Sequence, residues 1–239
     1  MRPEPNLLAF DTSAAHCAAA LLCGDVVLSE RFEPMKRGQA ERLMPMLEEV
    51  LQAEGAVWEE LHAIGVGIGP GNFTGIRISV SAARGLALAL GIPAIGVSAF
   101  EIARGPASQA APEYQIVTQT GLRDTVFLQH FQAGRPSGEP YTLASGHHDW
   151  MQIDLEIPPK GTELLGPFAE NLMLAFGMGA PGLYPFNTSD IDWPRAPEII
   201  GRVALEKLRS GQHIEAPKPL YIRAADAAPA SDPPPVILP

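Results

Sequence analysis

"GIGPGNFTGIRIS" (67–79) sets glycines at 67, 69, 71 and 75 between an apolar run, "AIGVGI" (63–68), and a helix-like segment, "GIRISVSAARGLALALG" (75–91). Glycines at this spacing let the backbone approach whatever lies beside it. Asn72 or Thr74 is placed to cap the helix that follows. Two readings follow. Amides exposed at a helix start suit an anion such as phosphate, and a tight turn that brings a helix onto a sheet needs the same residues. The loop holds no lysine, so it lacks the Gly-Lys-Ser/Thr ending of a phosphate loop. Nor does it match G-x-G-x-x-G with an acid about 20 residues on. Composition alone favours the turn.

On the N-terminal side, "NLLAFD" (6–11) reads as a strand, Ser13 to His16 as a turn and "CAAALLC" (17–23) as a second strand. "GD" at 24–25 is a hairpin signal leading into "VVLSERF" (26–32), so an antiparallel meander is expected. In "QAERLMPMLEEVLQAEG" (39–55), Leu43, Met46, Leu47, Val50 and Leu51 form a helical apolar stripe that Gly55 ends. Pro45 inside it predicts a kink or an irregular turn. "PAIGVSA" (93–99) is a further strand, followed by a short helix. Strands joined by helical crossovers are parallel neighbours, so the first hundred residues predict an α/β mixed sheet with helices on both faces. This is the ribonuclease H-like topology shared by actins, sugar kinases and Hsp70 ATPases.

The second half is less regular. "QIVTQT" (115–120) with "TVFLQHFQ" (125–132) predicts a hairpin, "TELLG" (162–166) a strand and "FAENLMLAFG" (168–177) a helix. "APEIIGRVALEKLRSG" (196–211) has proline near its start and glycine past its end, as helices do. No internal repeat shows in the sequence, although the second half has room for a decayed copy of the first topology. The tail 224–239 is proline-rich and predicts disorder.

The chain of 239 residues carries a formal net charge of −10. Such a protein is repelled by phosphate backbones, which argues against unaided nucleic-acid binding. Cys17 and Cys23 read as reduced thiols of a cytoplasmic protein. "MRPEPNLLAFD" does not resemble a secretion leader, and no run nears the roughly 18 apolar residues of a membrane span.

Chemistry-bearing groups are sparse. His16, His62, His130, His147, His148 and His213 show no pair at helical i, i+4 spacing, so no metal site is expected. Ser81 and Ser98 lack a G-x-S-x-G context. Asp11 ends the first strand in "AFDTS", where actin-like phosphotransferases place a carboxylate that orients magnesium and phosphate. The same residues also make an ordinary turn. Ser79, Ala83 and Ala87 recur at i, i+4 and i+8, with Ala82, Gly85 and Ala89 nearby. A row of small side chains admits close helix packing, either onto this chain's own sheet or against a partner.

"LLAFDTSAAHCAAALL" (7–22), "QAERLMPML" (39–47) and "GIGPGNFTGIRISVSAARGLALALGIPAIGVSAFE" (67–101) resemble the TsaB (YeaZ) family. Its signature, G-x-G-P-G-S/N-F-T-G-V/I-R-I, falls on Gly67, Gly69, Pro70, Gly71, Asn72, Phe73, Thr74, Gly75 and Arg77. The resemblance covers about residues 6–103 and returns at "PLYIR" (219–223). It implies a two-lobed actin-like (ASKHA) fold: an N-terminal lobe over 1–103 and a reduced C-terminal lobe over 104–223, with helix 196–210 packing back on the first lobe.

The resemblance also implies a role. Family members are non-catalytic subunits of the bacterial machinery that makes threonylcarbamoyladenosine at position 37 of tRNAs reading ANN codons. They pair with the catalytic paralogue TsaD and are joined by the ATPase TsaE. No intrinsic cofactor is implied; ATP and a metal ion belong to the partner subunits, tRNA is met only within the complex, and isolated members form homodimers. The implied partner surface lies on the first two helices: Leu43, Met46, Leu47, Val50, Ile76, Ser79, Val80, Ala83, Ala87 and Leu90. Asp11 and Thr12 would be remnants of a nucleotide cleft. The chain departs from the family at Gln39, where many relatives have histidine. It departs again at Thr120, Leu122 and Thr125, which replace an aspartate, an arginine and a glutamate. The alternatives are an actin-fold small-molecule kinase, which needs a second adenosine loop, and a peptidase, which needs a metal or a nucleophile pair.

Overall fold

The computed structural model describes residues 4–106, 112–121, 125–143, 156–176, 183–211 and 213–222. Leu122, His147, His148, Arg223 and the tail 224–239, all singled out above, lie outside the described residues.

Three strands open the chain: β1 (Asn6–Asp11), β2 (His16–Cys23) and β3 (Val26–Pro34). β1 runs antiparallel to β2, with Asn6 opposite Cys23 and Asp11 opposite Ala18, and β2 runs antiparallel to β3. The turn into β3 holds Gly24 at φ 55°, a left-handed conformation that glycine adopts without steric cost. Helix α1 (Gln39–Gln52) leads to β4 (Ala63–Gly67), parallel to β1; α2 (Phe73–Leu90) leads to β5 (Ala94–Val97), parallel to β4. The sheet order is β3-β2-β1-β4-β5. Tight turns join its antiparallel members and helices its parallel ones, as chain geometry requires.

α1 runs unbroken through Pro45 rather than stopping there. Pro45 and Glu41 are both exposed, so the Glu41 carbonyl that loses its partner is open to water. α2 starts at Phe73, two residues earlier than the sequence suggested, because the Asn72 side chain caps it: Oδ1 accepts from Gly75 N at 2.9 Å. Contrary to expectation, α2 is long and apolar enough, by length and composition, to cross a membrane. In the fold its Ile76, Val80 and Ala83 are buried while Arg77 and Arg84 are exposed.

Side chains alternate across the sheet as a strand's period of two demands. Leu8, Phe10, Ala19, Leu21, Ile64 and Val66 meet α1 and α2; Leu7, Ala9, Ala20, Leu22 and Ala63 meet α5 (Ala196–Arg209) on the opposite face. Each large apolar side chain so buried contributes about 1.5–3 kcal/mol. α5 sits close: a Cβ added at Gly201 would lie 2.4 Å from Leu22 Cδ1. The late helix thus seals the first sheet.

Helix α3 (Ala99–Arg104) crosses to β6 (Tyr114–Thr120), β7 (Val126–Gln132), β8 (Arg135–Leu143), β9 (Glu163–Leu165), α4 (Ala169–Phe176) and β10 (Phe186–Asn187). The order β10-β9-β6-β7-β8 repeats the plan of the first sheet, an antiparallel meander followed by two parallel strands. All five strands persist; the reduction lies in β9 and β10, which span three and two residues. α4 covers one face through Ala169 and Leu172, and Phe100 of α3 meets Val117 and Phe131 on the other. Two sheets of one five-stranded plan, with helices packed against them, make a two-lobed actin-like fold.

Candidate functional site

The glycine loop closes on the end of β1. A Cβ at Gly67 would lie 1.8 Å from Asp11 Oδ1, one at Gly71 2.3 Å from the Ser13 carbonyl oxygen, and one at Gly75 1.9 Å from that of Thr12. Each glycine is where a side chain has no room. Hydrogen bonds complete the clamp: Asn72 N donates to Ser13 O at 2.6 Å, and Thr12 Oγ1 donates to Gly75 O at 2.6 Å. The loop's close neighbour is this chain's own β1–β2 turn. Of the two readings of the opening stretch, the tight structural turn is the one realised.

Asp11 is fully buried at the centre of this clamp. Its Oδ2 accepts from Ser13 N at 3.0 Å, Ser13 Oγ at 2.9 Å and His16 Nε2 at 2.7 Å, while Oδ1 is buried without a partner against Gly67. His16 is held between Phe32 and Trp193, with ring centroids 5.3 and 5.1 Å away. As an open cleft, the assignment of Asp11 and Thr12 is corrected: both side chains are sealed, with Thr12 Oγ1 and Asp11 Oδ2 bonded within the chain and Oδ1 enclosed against Gly67. His16 stood in the sequence only as one scattered histidine. Its position across a short turn from Asp11 was the available signal.

The proposed partner residues need a larger correction. Leu43, Met46, Leu47, Val50, Ile76, Ser79, Val80 and Ala83 are all buried. The α1 four and Ala83 pack against this chain's own sheet, and Ala87 and Leu90 are partly buried against the same core. Ser79 Oγ donates to the Gly67 carbonyl at 3.2 Å. The apolar stripe was covered from within. What α1 and α2 leave outside is a different surface: Met44 and Pro45 on α1, and Ser81, Arg84, Gly85, Leu88 and Ala89 on α2. Leu88 is 86% exposed, the most of any large hydrophobic side chain among the described residues. Beside this face, Arg42 holds Glu33 through Nε (2.8 Å) and Nη2 (2.6 Å) and Glu49 through Nη1 (2.8 Å) and Nη2 (2.7 Å). Arg42 lowers both carboxyls from the ordinary glutamate value, through hydrogen bonding first.

The helix start is tied to the C-terminal segment. Arg77 lies over the Phe73 ring at 3.8 Å and donates from Nε to Tyr221 Oη at 3.0 Å; Leu220 N donates to Ile68 O at 2.8 Å. This explains why "PLYIR" accompanies the glycine loop: the two are bonded together.

A family model described as "TsaD: tRNA N6-adenosine threonylcarbamoyltransferase" matches residues 27–128. The "tRNA threonylcarbamoyladenosine biosynthesis protein TsaB" of Escherichia coli (strain K12) is 39% identical over 93 residues, 39% of this chain and 40% of that protein. The structure of YeaZ from Pseudomonas aeruginosa aligns with a TM-score of 0.64 at 27% identity, over 92% of this chain and 100% of that one. These likenesses support the TsaB (YeaZ) family for this chain. The ROK hexokinase of Thermus thermophilus, 17% identical over 86% of this chain and 100% of that chain, aligns with a TM-score of 0.55 and shares the fold. The signature quoted for that family is here the clamp itself, since Gly67, Gly71, Asn72 and Gly75 are the residues that grip the β1–β2 turn. The sequence match spans less than half of the Escherichia coli relative's length.

Proposed function

We propose that the chain is a non-catalytic, activating subunit in threonylcarbamoyladenosine formation on tRNA. It docks the outer face of α1 and α2 on the catalytic paralogue TsaD, to which TsaE then adds. The exposed Leu88 carries this reading: it stands on α2 beside exposed Gly85 and Ala89, where small side chains let a partner helix approach closely. The naming of the Escherichia coli relative supports the pathway, and the matching TsaD family model supports kinship with the paralogue. Asp11 supports the non-catalytic part, because the carboxylate is fully buried, with Oδ2 bound to Ser13 and His16 and Oδ1 closed in against Gly67, so substrate does not reach it. ATP, the metal ion and the tRNA contacts then belong to the partners, in keeping with a net charge of −10 on this chain. Alone in solution, the chain pairs with a second copy through the same face.

The test is reconstitution from TsaD, TsaE, tRNA, threonine, bicarbonate and ATP, with this chain, without it, and with Leu88→Glu. The wild-type chain should raise modified tRNA well above background, and the variant should not. Equal product in all three arms sinks the proposal.

A further inference from the structure

The junction of the two lobes holds a cavity of about 820 Å³ on the side away from Asp11. It is walled by β5, α3, the β7–β8 turn, the C-terminal half of α5 and residues 213–218. That volume falls within the range of small-molecule sites, roughly 300–1,000 Å³. Ile68, Ile95, Val203 and Ile214 supply an apolar lining.

Arg104, the last residue of α3, lines this cavity, and its side chain makes no hydrogen bond or ion pair among the described residues. Its Nε is buried without a partner. Its guanidinium carbon lies 5.4 Å from the Phe131 ring centroid, which steadies the plane but satisfies no N–H. A guanidinium is always charged and carries five donors, so a buried N–H of it left without an acceptor is costly. The other lysines and acids of the lining show the contrast. Lys207 is bound to Glu101 Oε1 at 2.7 Å and to the Gly96 carbonyl at 2.7 Å, and Lys218 to Glu215 at 3.1 Å. The lining's four cationic side chains, Arg104, Arg135, Lys207 and Lys218, outnumber its three carboxylates, Glu101, Glu206 and Glu215, on a chain of net charge −10. Burial also holds Arg104 below the ordinary arginine range, opposed by Glu206, Glu101 and Glu163.

We propose that this cavity binds a small molecule with an apolar body and a terminal carboxylate or phosphate, the anion seated on the Arg104 fork. A planar fork matches such oxyanions two bonds at a time, and the apolar lining accepts the body. The inference stands apart from the proposed docking face, which lies on α1 and α2 and shares no residue with the lining used here.

The experiment titrates the full chain with phenyl phosphate, benzoate and benzyl alcohol by calorimetry, beside Arg104→Met, which keeps an unbranched apolar stem. Either anion should bind the wild type, with at least about a tenfold loss in the variant, the loss expected for a removed charge-assisted contact. The tighter of the two names the headgroup. Should Arg104→Met fail to fold, the ¹⁵Nε–¹H resonance of Arg104 in the wild type gives the same answer, and it should move on saturation with the bound anion. Absence of binding by both anions, equal binding by the variant, benzyl alcohol binding as tightly as benzoate, or an unmoved Arg104 resonance at saturation each overturns the proposal.

Discussion

His16 Nε2 donates to Asp11 Oδ2 across 2.7 Å, with the two side chains 2% and 0% exposed. The strand-end carboxylate therefore holds the β1–β2 turn rather than facing a cleft. Replacing His16 by leucine leaves a buried carboxylate short of a donor, and should cost about 3–5 kcal/mol in urea unfolding. Asp11→Asn places an amide NH₂ where Oδ1 now meets Gly67 with no acceptor, for about 1–3 kcal/mol. The double variant should lose less than the sum of the two, since both act on one bond. Strict additivity would show that the pair is not coupled.

Two glycines on either side of the same helix start give opposite signs. Gly67→Ala drives a methyl into Asp11 and should destabilise by about 1–3 kcal/mol. Gly85 has nothing within 4 Å of its added Cβ and lies inside α2, so Gly85→Ala should stabilise by about 0.5–1 kcal/mol. Thermal melts of the two variants read the contrast directly.

The same logic separates a core residue from a surface one on α2. Ala83 is fully buried against the sheet, so Ala83→Glu places an unpaired charge in the core and should unfold the chain or prevent its expression. Leu88→Glu, on the opposite side, should leave the unfolding free energy within about 0.5 kcal/mol of wild type while shifting the isolated protein toward monomer on gel filtration. A monomeric wild type, or a dimeric variant, argues that this face does not self-associate.

The reason the sequence misled at Ala83 is physical. Period 3.6 in Leu43, Met46, Leu47 and Val50 identifies a face to be covered, but not the owner of the cover. The cover was present in "AAALL" of β2 and in Leu8 and Phe10 of β1, whose inward side chains take up that stripe. The first sheet was legible because its strands are long and its turns carry glycine. No strand was expected over β8: Pro136, Gly138 and Pro140 break a strand pattern, and are tolerated because β8 is an edge strand with one neighbour. β10, two residues long, has no pattern to detect. The Asp11–His16 bond and the burial of Arg104 Nε depend on tertiary placement, which residue spacing does not carry.

Arg42 sets an acid-side dependence. Glu33 and Glu49 are held below the ordinary value of 4.5, so their contribution is present above that pH and is lost as pH falls through the lowered values. The gap in stability between wild type and Arg42→Met should be constant from neutral pH down to about 5 and close below it. Glu33 is 40% exposed, so water screens the pair and its share stays under about 1 kcal/mol. A gap that widens on acidification contradicts the assignment.

The two thiols should behave as different species. Cys17 lies at 0% exposure in the core, and burial pushes its pKa up to about 12 from 9.0. Cys23 is half-buried at the end of β2, its Sγ 3.8 Å from the Glu4 carbonyl. Because the thiolate and not the thiol attacks, an aromatic disulfide reagent at pH 8 should label one cysteine in the folded protein and two in urea. The raised Cys17 value also has a sign. Its contribution to stability is full below pH 9.0 and is lost as pH climbs toward about 12, where the unfolded chain ionises first. Cys17→Ala should therefore be less stable than wild type at neutral pH, from the small cavity it leaves, and should close part of that gap at pH 10 to 11. Two thiols labelled at equal rates in the native state would place Cys17 outside the core.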